Sequence, residues 1–419
     1  MQKIYTKVTD SMNFFEKTNP YELVEAFGSP LYVYNERILR QRCRELKQMV
    51  TYPRFVVDYS AKANCNLAFL QIVRSEGLTV DAMSPGEIYA ELAAGFPPED
   101  IFYICNNVSE EEMNYAIQAG VVISVDSLCQ LEQFGNLCPG GKVAVRFNPG
   151  VGAGHSEKVV TGGKKTKFAV NPEDIPAVKS LLKKHDLKLI GINQHIGSLF
   201  MTGESYLASM ENLFEIVKQF PDLEFVDFGG GFGIPYHKED DEPRLDLEAL
   251  GREMDKRMYR FAEEYGKELT FRIEPGRYVS AECCVLLGQV HAIKQNHGTK
   301  FIGTDLGFNV LQRPVMYDSY HGVEVYRHCG LPSSQTEAVT IVGNICESGD
   351  ILAKDRVLPE IHRGDLLGVL DAGAYGYTMA STYNNRLRPA EVLLRENGTV
   401  VLIRRRETLD DLLRGQILL

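Results

Sequence analysis

The chain has 419 residues, 44% of them hydrophobic and 24% charged, enough for one large core and a smaller one. A formal net charge of −11 excludes the broad basic face that nucleic acid or an anionic membrane would need, so an anionic ligand must be gripped by a few local arginines. Nine cysteines without a CxxC pair point to reduced thiols rather than disulfides or a metal site, and polar Met1 to Asp10 is unlike a signal peptide, so the expected location is the cytoplasm.

In chain order, LYVY at Leu31 is a short strand pattern that precedes a long alternating region. From Arg54 to Glu274, eight β-branched or aromatic runs alternate with amphipathic stretches of helical length. They begin at Arg54 (RFVVDYS), Leu78 (LTVDA), Ile101 (IFYIC), Val121 (VVISVD), Lys142 (KVAVRF), Leu187 (LKLIGINQ), Leu223 (LEFVDF) and Leu269 (LTFRIE). This is the pattern of an α/β fold with a parallel sheet closed into a (β/α)8, TIM-like barrel.

Ser84, Pro85 and Glu87 read as an N-cap, a first-turn proline and a capping-box acid, with Gly95 as the stop; the segment from Asp126 or Ser127 to Gly135 repeats that grammar. Beyond Glu274 the texture becomes strand-like, with runs at Cys283, Ala338, Asp365 and Val400. The expected domains are therefore a barrel over 35–276 and a mainly β, sandwich- or barrel-like domain built from 1–34 plus 277–419.

In such barrels the reactive groups collect at the carboxyl ends of the strands. Lys62 follows the first run, His195 and Ser198 the sixth, the triplet Gly229 to Gly231 the seventh, and Glu274 and Arg277 the eighth. Singly each has an ordinary reading: a surface lysine, a hydrogen-bonded structural histidine, a tight turn. Together they meet one chemical need. Pyridoxal 5′-phosphate (PLP) requires an amine to form an imine, an anion for its ring nitrogen, a flat group over the ring and donors for its phosphate, and Lys62, Glu274, His195 and the Gly229–Gly231 backbone supply these in turn.

The motifs YSAKAN, VDAMSPGE, QHIGS, FGGGFGIPY, IEPGRY, ICESGD, DAGAYG and YNNRLRPAEVL, in this order from about Leu31 onward, resemble the alanine-racemase-like, fold type III PLP decarboxylases. Within them the likeness is greatest to the diaminopimelate decarboxylase family. RFNPGVGAGHSEKVVTGGKKTKF from Arg146 and LIRRRETLDDLL from Leu402 look like a bacterial branch; on residues alone, Arg404 to Arg406 read as a solvated face.

The resemblance implies decarboxylation of meso-2,6-diaminopimelate to L-lysine in lysine biosynthesis, with PLP carried on Lys62. It implies that Glu274 pairs with the ring nitrogen, that His195 stacks on the ring, and that Asp81, Ser198, Gly230, Gly231, Pro275, Gly276, Arg277 and Tyr375 complete the cofactor site. Arg277, Arg313, Tyr317, Glu347 and Tyr375 would bind substrate; Cys346, as proton donor, and Glu347 would reach a partner subunit's site, making a homodimer with shared active sites. No metal, nucleic acid or membrane partner is expected.

The chain departs from the family pattern at Leu306, Val310, Leu199 and Asn193, positions expected near the pocket, which keeps D-lysine, D-ornithine or carboxynorspermidine-type substrates as alternatives. A racemase of the same fold and a catalytically silent PLP-binding homologue are the other readings, both disfavoured by the intact set Lys62, Glu274, Cys346 and Tyr375 and by CESGD. Gly152 to Lys165, rich in glycine and lysine after the fifth run, is read as a lid over the site.

Overall fold

The computed structural model describes residues 7–150, 152–154, 163, 166–328 and 335–419. Most of the segment from Gly152 to Lys165 lies outside the described residues. The chain divides into two compact units: one of Arg40–Ile234 and Arg244–Val279, the other of the residues up to Leu39, Pro235–Pro243 and Ser280–Leu419.

The sheet unit opens with β1 (Leu31–Asn35). In the barrel unit follow β2 (Phe55–Ser60), β3 (Thr79–Ala82), β4 (Ile101–Ile104), β5 (Val122–Val125), β6 (Lys142–Arg146), β7 (Ala153–Gly154), β8 (Lys188–Asn193), β9 (Gly197–Ser198), β10 (Phe225–Asp227) and β11 (Thr270–Ile273). Eight of these, β2–β3–β4–β5–β6–β8–β10–β11, are parallel and close on one another, and each matches one of the eight expected runs. The small pair β7–β9 stands apart.

Packing explains the closure. Phe102, Ile104, Ala144, Ile190 and Phe225, from β4, β6, β8 and β10, form one buried cluster. A Cβ on Gly191 of β8 would fall 2.1 Å from the Phe225 ring, so glycine there is what lets that ring fill the space. Arg272 of β11, half-buried, sits 4.9 Å from the Phe225 ring centroid and 3.2 Å from Asp58, so the buried carboxylate is matched by a cation.

Helix caps follow the sequence with two corrections. Ser84 Oγ accepts from the Glu87 N–H at 3.2 Å as expected, but the Glu87 carboxylate takes the N–H of Met83 at 2.7 Å, one residue before the cap. Gly95 does end its helix in the left-handed region, at φ +97°. Gly135 does not end the next one, which runs Leu128–Leu137; a Cβ there would lie 2.4 Å from the His185 ring, so that glycine serves packing rather than termination.

The second unit is a nine-strand sheet among the described residues. Its strands after β1 are β12 (Cys284–Asn296), β13 (Thr299–Thr304), β14 (Val323–Tyr326), β15 (Thr336–Val342), β16 (Ile351–Pro359), β17 (Leu366–Val369), β18 (Ala390–Leu394) and β19 (Val400–Arg404). The order is β16–β15–β13–β12–β1–β18–β19, with β17 on β12 and β14 on β17. Strand β1 lies parallel to β18 and antiparallel to β12, so an early strand is held in the middle of the sheet.

Leu306 and Val310 are each 1% exposed in this unit, and Leu306 fills the space left by Gly288, where a Cβ would meet it at 2.2 Å. Leu306 thus packs within the sheet unit, the unit that also carries Arg313, Tyr317 and Tyr375. Among the described residues no helix is long and apolar enough to cross a membrane.

Candidate active site

Strand β2 ends in Ser60, and one short turn, Ala61–Ala63, carries half-buried Lys62 just beyond it. Asp81 ends its approach on β3, fully buried; its Oδ2 accepts from Ser60 Oγ at 2.8 Å, and Oδ1 has no partner. Burial pushes the Asp81 carboxyl up to about 8, against the opposing pull of Lys62. Glu274, directly after β11 and 3% exposed, is likewise pushed up to about 8 by burial and by Asp81, while Asp227, Lys62 and Arg146 oppose the shift.

His195 follows β8. Burial first, then Lys62 and Arg146, hold its imidazole well below the usual histidine range. The Gly230 N–H donates to His195 Nδ1 at 3.1 Å, so Nδ1 carries no proton. Its 3.7 Å approach to Glu274 Oε2 is therefore a contact with a neutral ring and not an ion pair. Glu274 Oε1 accepts from no protein N–H or hydroxyl, and its carboxyl is paired with the buried carboxyl of Asp227, two acidic groups that can bond only by sharing a proton, a costly position unless a further donor or cation is brought to them.

The glycines beyond β10 are required by close approach of backbone. A Cβ on Gly229 (φ +73°) would lie 2.2 Å from Gln194 O, one on Gly230 1.9 Å from Glu274 O, and one on Gly231 (φ +109°) 2.7 Å from Gly197 O. Two of the three N–H groups are already used: Gly229 donates to Asp227 Oδ1 at 2.8 Å and Gly230 to His195. The phosphate cradle read from the triplet thus narrows to the Gly231 N–H. Beside it, Arg277 Nη2 donates to Ser198 Oγ at 2.9 Å, and the Ser60 N–H is bound to Pro275 O at 3.2 Å. A Cβ on Gly276 would touch Ser60 and Ala63, so the turn after Glu274 is packed tightly on the turn that bears Lys62.

The Gly230→Ala protein is expected to be destabilised by about 1–3 kcal/mol, because its methyl meets backbone rather than a yielding side chain. Urea unfolding checks this, and an unchanged midpoint would refute it.

Sequence reasoning missed Ser60, Arg146 and Asp227. All are buried; Arg146 Nε has no hydrogen-bond partner, and burial together with the adjoining Glu274 carboxyl raises the Asp227 carboxyl well above its ordinary value. The available signal was a polar or charged residue closing an apolar strand, as in FVVDYS, KVAVR and FVD. Asn193 is 1% exposed and accepts from Ser124 Oγ at 2.6 Å, while Leu199 is half-buried with φ +67°, rare for a leucine.

The remaining expected residues lie in the sheet unit. Arg313 is 1% exposed; Nη1 donates to Tyr236 Oη at 3.0 Å and to His321 Nε2 at 2.9 Å, and Nη2 to Ser319 Oγ at 3.3 Å. Tyr317 closes the same short helix, Arg313–Tyr317. Tyr375 holds φ +56°, a strained setting for a tyrosine and of the kind found where a side chain must be aimed. Cys346 and Glu347 stand exposed on a turn.

The barrel mouth has the chemistry that PLP requires. An amine, a buried carboxyl with an open lone pair for a ring N–H, a neutral imidazole and a backbone N–H beside an Arg–Ser pair occupy successive strand exits.

Comparison with known proteins agrees. Residues 36–281 match the family model described as pyridoxal-dependent decarboxylase, pyridoxal binding domain. The chain is 44% identical over 405 residues to the diaminopimelate decarboxylase of Methanothermobacter thermautotrophicus, covering 94% of this chain and 93% of that one. It is 35% identical over 418 residues to that of Escherichia coli K12, covering 96% of each. The crystal structure of Helicobacter pylori diaminopimelate decarboxylase complexed with L-lysine superposes with a TM-score of 0.86 at 30% identity, covering 94% of this chain and 98% of that one. On these grounds the chain belongs to the PLP-dependent decarboxylases, within the diaminopimelate decarboxylase family.

Proposed function

We propose that this enzyme decarboxylates meso-2,6-diaminopimelate to L-lysine and CO2, with PLP carried on Lys62. The observation that carries the reading is Glu274: a buried carboxyl whose Oε1 accepts from no protein N–H or hydroxyl and which is paired only with another acid, Asp227, in the same barrel mouth as Lys62 and His195, in a chain 44% identical to a diaminopimelate decarboxylase. Bound PLP supplies an electron sink for the pair left behind when CO2 departs.

The chain's own residues do the rest. Lys62 offers the amine that the substrate's amine displaces. Glu274 holds the ring-nitrogen proton, which is the donor its open oxygen lacks. His195, neutral and pinned by the Gly230 N–H, offers a flat face without a competing charge. Asp81, fixed by Ser60, feels the charge of Lys62, and Ser198, Gly231, Gly276, Arg277 and Tyr375 would receive the phosphate. Arg277, Arg313 and Tyr317 bind substrate carboxylate. Cys346 delivers the proton that replaces CO2, and Glu347 binds the distant ammonium, both reaching a second copy's site in a cytoplasmic homodimer.

A site built around arginines for a far carboxylate should discriminate by roughly 10⁴-fold against an amine lacking it, since its charges would be left unpaired. CO2 release from meso-diaminopimelate, measured beside D-lysine, D-ornithine and L-lysine, is expected for diaminopimelate alone. Turnover of a D-diamine instead would overturn the substrate assignment.

A further inference from the structure

The turn that presents Cys346 and Glu347 is exposed, yet it is tied from two sides. Behind it, Asp350, 5% exposed, accepts the N–H groups of Ile345 at 2.8 Å and Phe308 at 2.7 Å, and the Asp350 N–H closes on Glu347 O at 3.1 Å. In front of it runs Tyr383–Arg386. The Cys346 N–H donates to Asn384 Oδ1 at 2.7 Å, Tyr383 Oη–H to Glu347 Oε1 at 2.5 Å, and Arg386 Nε to Asn344 O at 3.0 Å. Three residues of one turn, Asn344, Cys346 and Glu347, are therefore each bound to a residue of the other.

Asn384 and Asn385 both hold left-handed conformations, φ +55° and +54°, which asparagine tolerates better than other side-chain-bearing residues. The Tyr383 ring stacks on Phe308 at 5.7 Å, and Phe308 is itself fixed by Asp350, so the two ties share one support. A stability role accounts poorly for this arrangement: the turn is exposed, Tyr383 is 45% exposed, and the bonds converge on the backbone of Cys346 and the carboxylate of Glu347.

We propose that Asn384 and Tyr383 are positioning residues. Asn384 sets the direction of the Cys346 thiol through its backbone, and Tyr383 orients the Glu347 carboxylate. This rests on the reading of Cys346 as proton donor and Glu347 as ammonium ligand, and it divides the two tasks between two neighbouring side chains.

The test is steady-state kinetics of the holoenzyme on meso-diaminopimelate. Asn384→Ala is expected to lower kcat by about 10- to 100-fold with little change in KM, the penalty for a misplaced reacting group, and Asn384→Asp, which keeps the acceptor, to restore most of it. Tyr383→Phe is expected to act mainly on KM, raising it about 10-fold, through loss of a charge-assisted hydrogen bond. Alkylation of Cys346 by iodoacetamide, mapped by peptide mass, should quicken about 3-fold in Asn384→Ala as the backbone there loosens. If Asn384→Ala melts several degrees lower, Arg386→Ala, which removes the third tie, is read in the same way. Asn384→Ala within twofold of the parent in kcat and in alkylation, while Cys346→Ala is inactive, overturns the positioning role. Cys346→Ala with parental activity overturns the proton-donor reading beneath it.

Discussion

Lys62→Arg is expected to lower decarboxylation by at least ~10⁴-fold, about 5.4 kcal/mol of lost transition-state stabilisation. Arginine keeps the positive charge that the neighbouring carboxyls of Asp81 and Glu274 feel, so the electrostatic surroundings of the barrel mouth survive. What it removes is a deprotonatable amine: a guanidinium does not form an imine under these conditions. The substitution therefore separates chemistry from stability, which Lys62→Ala would not. Two measurements check it. One is CO2 release from meso-diaminopimelate; the other is the peptide that gains the cofactor's mass after borohydride reduction, expected to contain Lys62 in the parent and to vanish in the variant. A variant retaining more than about 1% of activity would mean that another amine carries the cofactor.

That experiment probes a residue the sequence exposes clearly, because barrel topology turns chain position into spatial position. A residue just past an apolar run is at the mouth whatever its neighbours are, and so Lys62, His195 and Glu274 were identifiable before any distances were known. The barrel strands are legible because burial makes most of each strand β-branched or aromatic, as in IFYI of β4 and VISV of β5. Several strands of the sheet unit are not. Strand β14 hides Glu324, a buried acid hydrogen-bonded to Thr9 and Tyr326, and β16 is irregular, with Asp355 at φ +50° and a register shift against β15.

Errors in the reading share one cause. Gly135 looks like a helix stop until His185, fifty residues on, is seen against it, and the size of Leu306 has no evident reason until Gly288 is seen beneath it. Each depends on a partner distant in sequence. The left-handed backbones of Leu199 and Tyr375 are likewise imposed from outside the local sequence, since neither residue favours φ above zero. Ser60, Asp227 and Arg146 escaped because polar strand ends were not weighed as a class.

The barrel unit also contains buried acids whose consequence is measurable in the cofactor-free protein. Asp81 and Glu274 are pushed up to about 8, Glu91 to about 10, and Asp227 well above its ordinary value; burial is the largest cause for each. In unfolded chain these groups lose their protons near pH 4. Between that pH and the folded value the native state binds more protons than the unfolded state, so stability falls as pH rises. His195 works the other way, since its folded value is depressed, but its contribution is complete once pH exceeds about 6.5.

The clean window is therefore pH 6.5 to 8, where each acid still protonated in the native state contributes up to about 1.4 kcal/mol of loss per pH unit. Urea unfolding of cofactor-free protein is expected to show a fall of at least ~2 kcal/mol across it. Glu91 offers the sharpest check, because it is fully buried, both its oxygens lack partners, and it stands outside the set assigned to cofactor or substrate. Glu91→Gln keeps the shape and removes the titration, so it should flatten the pH slope by about 1 kcal/mol per unit and leave a protein more stable at pH 8 than its parent. Glu274→Gln should flatten the slope as well, but at the expense of decarboxylation, since the group that destabilises the empty fold is the one proposed to hold the ring-nitrogen proton. A slope that is level, or that rises with pH, would show that these carboxyls are ionised in the native state and would overturn the account of them as protonated buried acids.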